Sequence, residues 1–154
     1  MTNLNDIPDI FRESAEKRTK TETDIMAQKA ANAISGLTDQ YIAQVNQDLI
    51  ALKQALETAR QGSPDAYFQA THDVFSFKMH DMKGQGTTFG YPLLTEIGTY
   101  ACNYLRYKSD MTLADLDKLT LLVNDIECVL TQNLTGDGGD MGAQIRSHLA
   151  DDAT

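Results

Sequence analysis

The chain has 154 residues, enough for one domain whose core needs neither disulfides nor a structural metal. Its 22 acidic side chains outnumber 13 basic ones, giving a net charge of -9, and the basic residues are not clustered; this excludes a nucleic-acid phosphate backbone as a partner. Apolar runs stay short of the roughly eighteen residues a membrane span needs, and MTNLNDIPDIFRESAEKR lacks the basic opening and apolar core of a secretory signal, so a soluble, cytoplasmic protein with no membrane partner is expected.

Residues 1–22 are rich in charge and threonine, with one short apolar cluster at Ile7, Ile10 and Phe11, and read as a loose arm or short helix. An alanine-rich helix from about Thr23 to Ile34 is expected to stop near Ser35 and Gly36, where glycine suits a helix end. A long helix from about Thr38 to Gln61 follows. Its apolar positions Ile42, Val45, Leu49, Leu52 and Leu56 step by threes and fours into one stripe. Gly62, Ser63 and Pro64 end it and open the next helix, on which Phe68, Thr71, Phe75, Met79 and Met82 share a face.

After Gly90, Tyr91 and Pro92 open a helix with Leu94, Ile97, Ala101 and Leu105 as its buried row. Another runs from about Thr112 to Asn133 on Leu116, Leu119, Val123, Ile126 and Leu130. The segment 135–154 reads as a glycine-rich turn, TGDGGDMG, with a short terminal helix or tail that frays. No period-two alternation calls for strands. The expected fold is all-α: an antiparallel up-down four-helix bundle within residues 23–134, with an additional N-terminal helical segment. Cys102 and Cys128 sit in separate apolar segments without ligand spacing and read as reduced core residues.

Within HDMKGQGTTFG, residues 80–90, His80 falls well away from the apolar stripe of its helix and so faces solvent. A neutral imidazole there is a nucleophile near neutral pH, suited to splitting a group transfer into two steps. In-line attack on a phosphoryl group needs open space. The i+4 neighbour that could cover the ring is Gly84, a clearance that explains its helix cost of about 1 kcal/mol, and the i+3 neighbour is Lys83, a mobile counter-charge for phosphoryl oxygens. Gln85 offers a neutral donor near the same space, Gly86 through Gly90 turn the chain toward the next helix, Ser76 is a small polar flank, and Phe77 points outward as a docking aromatic or packs under the N-terminal helix.

The pattern His80-x-x-Lys83-Gly84, with Gly90 ahead of Pro92, Leu93 and Leu94, resembles the histidine-containing phosphotransfer domain family over residues 38–134. The resemblance implies that His80 is the phosphorylated histidine, relaying a phosphoryl group between response-regulator receiver domains or from a hybrid sensor histidine kinase. Lys83 would then be the basic neighbour, Gly84 the clearance, and Ser76, Phe77, Gln85 and Gly90 the docking surface and motif turn. The carrier would be a monomer without a kinase domain or cofactor of its own, and Mg2+ would belong to the partner receiver. Gln85 and Tyr91 depart from the small residues common in that family, which bears on partner choice. The competing reading is an adaptor whose bundle binds a signalling protein without phosphorylation.

His72 and His148 lack the lysine and glycine followers and read as residues without chemistry. A metal site built from His72, Asp73, His80 and Asp81 is disfavoured because the four diverge around one helix. No G-x-x-x-x-G-K-[ST] loop is present to bind ATP.

Overall fold

The computed structural model describes residues 9–150, with side chains from residue 19 onward. Among the described residues every regular element is helical and no strand occurs. The helices are α1 (Asp9–Gln61), α2 (Tyr67–Gln85), α3 (Pro92–Leu105), α4 (Leu113–Thr131) and α5 (Gly139–Ala150), with a 3-10 turn at Pro64–Ala66. No helix among the described residues is long and apolar enough to cross a membrane.

The chain divides into two units, Met1–Gln40 and Tyr41–Thr154. In the first, the backbone is helical from Asp9 and the large apolar side chains Ile25, Met26, Ile34 and Leu37 are exposed. The expected stop at Ser35 and Gly36 does not occur, and α1 continues through it. Gly36 keeps an ordinary helical backbone with open space around it, no proline follows, and the Thr38 hydroxyl donates to the Ile34 carbonyl at 2.9 Å across the site. One glycine costs about 1 kcal/mol, too little to end a helix that lacks a competing cap. Of the cluster expected at Ile7, Ile10 and Phe11, Ile7 and the side chains of the other two lie outside the described residues.

The second unit holds the core. Tyr41, Val45, Leu49, Leu52 and Leu56 from α1 meet Phe75, Met79 and Met82 from α2, the row Leu94, Ile97, Ala101 and Leu105 from α3, and Leu116, Leu119, Val123 and Ile126 from α4. The apolar periodicity therefore chose the buried faces correctly, with Ile42, Phe68 and Leu130 only partly covered. Polar contacts at the margins tie the same helices. The Tyr41 hydroxyl donates to the Met82 carbonyl at 3.3 Å, Lys78 pairs with buried Asp48 at 3.2 Å, and Lys53 and Arg60 reach Glu127 and Asp117 at 2.7 and 3.0 Å. The free thiols of Cys102 and Cys128 are half-buried at the edge of the core.

The terminal segment is not a frayed tail. Ile145 of α5 is buried, Arg146 pairs with Glu96 at 3.1 Å, and His148 Nδ1 lies 3.0 and 2.9 Å from the two oxygens of buried Asp125. Apolar Ile145 and Leu149, one turn apart, give this helix the face that packs. Residues 151–154 lie outside the described residues.

At the start of α4, Thr112 and Asp115 form a reciprocal capping box. Burial by itself pushes the Asp115 carboxyl up, but hydrogen bonds from the Tyr104 hydroxyl and the Thr112 amide, with the Lys108 ammonium at 3.0 Å, outweigh it and hold the group at about 2, below the ordinary 3.8. A carboxyl whose folded value is depressed stabilises the fold above its unfolded value and loses that contribution as pH falls through the folded one. Thermal melts of the wild type should therefore lose about 2 kcal/mol of stability between roughly pH 4 and pH 2 on this account. An Asp115→Asn variant should be less stable at neutral pH and show a flatter acid limb; an unchanged limb would assign the acid sensitivity to other carboxyls.

Candidate functional site

Helix α2 buries Thr71, Phe75, Met79 and Met82, which turns His80 outward. The imidazole is exposed, and no described residue hydrogen-bonds or ion-pairs with it. It lines an open groove of about 490 Å3 between α2 and α3, together with His72, Ser76, Phe77 and Lys83 from α2 and Cys102 and Arg106 from the α3 side. Of the predicted site residues, the structure thus brings His80, Lys83, Ser76 and Phe77 to one place. Phe77 is 74% exposed.

Gly84 is exposed, and a Cβ built on it would meet nothing within 4 Å. No packing constraint accounts for glycine there, in spite of its helix cost of about 1 kcal/mol. Gly86 and Gly98, which flank the α2–α3 approach, are by contrast constrained by the fold. A Cβ on Gly86 would come within 2.6 Å of the Thr95 hydroxyl oxygen and 2.8 Å of the Tyr91 carbonyl oxygen; one on Gly98 would lie 2.8 Å from the Met79 carbonyl and 2.9 Å from Lys83 Cβ.

Gly90 has φ +87°, a left-handed conformation that favours glycine, so it serves as the turn of the motif and does not line the groove. The Tyr91 amide closes that turn on the Gly86 carbonyl at 2.8 Å, and the Gly136 amide donates to the Gly90 carbonyl at 3.2 Å. Gln85 is not in the groove either. Five residues along a helix rotate it about 140° from His80, and it lines a separate hollow of about 250 Å3 with Tyr41, Gln44, Asp48 and Asp81.

Sequence reasoning missed four contributors. Arg106 follows α3 and reaches the groove from the opposite wall to Lys83, a meeting of residues far apart in the chain that periodicity cannot foresee. Cys102 lines the same groove: burial pushes its thiol up, and the charges of Lys83 and Arg106 offset this only in part. Gly98, in the middle of an apolar row, was the readable signal of a close helix approach. His72 is the fourth. It was assigned no role, yet it lines the groove, stacks on Phe68 at 4.4 Å between ring centroids, and places Nε2 3.1 Å from the Leu105 carbonyl.

The cations of the second unit separate into two kinds. Lys53, Arg60, Lys78, Lys108 and Arg146 pair with carboxylates, and Lys118 donates to the His148 carbonyl at 2.9 Å. Lys83 and Arg106 have no carboxylate partner among the described residues, and both face the groove of His80. In a chain of net charge -9, two cations without a described carboxylate partner in one groove are a local excess of positive charge, which favours an anionic group over a cationic one there. No group of three or more acidic, histidine or cysteine side chains poised for a metal occurs among the described residues. Comparison of the chain with family models, with curated proteins and with solved structures finds no match.

Proposed function

We propose that the protein is a histidine phosphotransfer carrier, accepting a phosphoryl group on His80 from an aspartyl phosphate of one receiver domain and passing it to an aspartate of another. The observation that carries this reading is that Lys83 and Arg106, two cations without a carboxylate partner among the described residues, line the same groove as an exposed imidazole that no described neighbour holds. A neutral imidazole attacks phosphorus with its Nε2 lone pair. The new N–P bond forms as the P–O bond to the donor aspartate breaks, the carboxylate leaving with the electron pair, and the ring proton on Nδ1 passes to solvent or stays. Lys83 and Arg106 meet the charge spread over the equatorial oxygens, and Gly84 leaves the approach line open. The Mg2+ that such a transfer uses would sit in the receiver's acidic pocket.

The scaffold in this reading is an antiparallel up-down four-helix bundle made by α2, α3, α4 and the part of α1 from Tyr41 on. Contacts between neighbours step in opposite directions along each pair: Tyr41 with Met82 and Asp48 with Lys78, Lys53 with Glu127 and Arg60 with Asp117. The same holds for Lys83 beside Gly98 with His72 at Leu105, and for Tyr104 with Asp115 and Tyr100 under Lys118. A rigid bundle suits the role because the nucleophile must stand at a fixed angle to a partner's active site. The carrier works as a cytoplasmic monomer, with Phe77 as an apolar contact for receivers or for a hybrid kinase.

The test is incubation with a radiolabelled phospho-receiver and Mg2+. Label should pass to the protein in an acid-labile, base-stable form, as a phosphohistidine is. Lys83→Ala should slow the transfer about tenfold without abolishing it. If a receiver binds and no label moves, the adaptor reading, in which the Phe77 surface docks a partner without chemistry, takes its place.

A further inference from the structure

An imidazole has two nitrogens, and both of those on His72 face groups that can only accept. Nε2 lies 3.1 Å from the Leu105 carbonyl and Nδ1 3.0 Å from the Asp73 carboxylate. The two contacts differ in weight. Asp73 is 93% exposed in its side chain, so water competes for that bond, whereas the Leu105 contact is partly buried and the ring is pinned against Phe68. Leu105 is the last residue of α3, and its carbonyl accepts from the Lys108 amide at 3.2 Å in the following turn as well as facing His72 Nε2. The next residue is Arg106, whose side chain lines the groove of His80.

We propose that His72 is a positioning residue of the phosphoryl site: its Nε2–H, donated to the Leu105 carbonyl, fastens the end of α3 to α2 and so holds Arg106 beside His80. This rests on the phosphotransfer reading. Of the ionisable groups around the groove, His80 and Lys83 stand on α2 with His72, while Cys102 and Arg106 come from the α3 side. Lys83 is located by its own helix and by Gly98, whereas Arg106 lies just past the end of α3, in the turn that the Lys108 amide closes on the Leu105 carbonyl. The His72 contact falls on that same carbonyl and joins the turn to α2.

The experiment measures the rate of label transfer from a phospho-receiver to the full chain. His72→Leu keeps the packing on Phe68 and removes the donor; His72→Asn is too short to reach Leu105. Both should be slowed about tenfold, the order expected when a charged group near the reacting atoms is displaced. His72→Gln, whose amide nitrogen falls near the place of Nε2, should restore a rate close to wild type. In an Arg106→Ala background the His72 substitutions should add no further loss, because the group they position is already gone. Wild-type rates in both His72→Leu and His72→Asn, a His72→Gln as slow as His72→Leu, or a full tenfold loss persisting without Arg106 would each overturn the clamp while leaving the relay intact. Absence of label on the wild type itself would overturn the relay reading and the clamp with it.

Discussion

Replacing His80 with glutamine should reduce acid-labile label from a phospho-receiver to background while leaving the fold unchanged. Glutamine keeps a polar side chain of similar reach but has no lone pair able to attack phosphorus. The imidazole is exposed and has no partner among the described residues, so its loss should alter stability by no more than about 0.5 kcal/mol. The other two histidines are poor substitutes. His72 has both nitrogens opposite acceptors, and His148 has Nδ1 against the two oxygens of buried Asp125. Autoradiography of both proteins after an acid chase gives the answer, and equal label on the variant would move the site away from His80.

The second large effect separates two glycines that look alike in the sequence. Gly98→Leu should destabilise the protein by about 3 kcal/mol, because its Cβ would press on the Met79 carbonyl and the backbone nitrogen of Lys83, neither of which can rotate aside. The helices must part there, and Lys83 moves with them. Gly84→Leu should do the opposite. With nothing within 4 Å of its Cβ, it gains helix propensity of somewhat less than 1 kcal/mol and melts slightly higher, yet its side chain covers the His80 ring and slows transfer by about a hundredfold. Chemical denaturation and transfer rates on the two variants check both halves. A Gly84→Leu protein that transfers at the wild-type rate would remove the clearance argument, and a Gly98→Leu protein of unchanged stability would mean that α2 and α3 do not approach as closely as described.

The outward face of His80, the apolar rows of α2, α3 and α4, and the turn at Gly90 were legible in the sequence because each depends on residues within one or two helical turns. Helical period alone places Lys83 and Gly84 beside the imidazole, and the same arithmetic, carried one residue further, rotates Gln85 out of the site. The persistence of α1 through Gly36 was misjudged because a lone glycine weakens a helix without supplying a stop. The packing of α5 was underestimated because its short apolar face becomes stable only when Asp125 and Glu96 are in place to receive His148 and Arg146.

What the sequence determined by itself was therefore the outward position of His80 and its local surroundings, since side chains on one helix are related by a fixed rotation. Tertiary structure alone decided the second wall of the groove. Arg106, Cys102 and the His72–Leu105 contact arise where α3 lies against α2, and Gly98 sets how near it comes. Such pairings join residues tens of positions apart through the packing of whole helices, and no local periodicity encodes them.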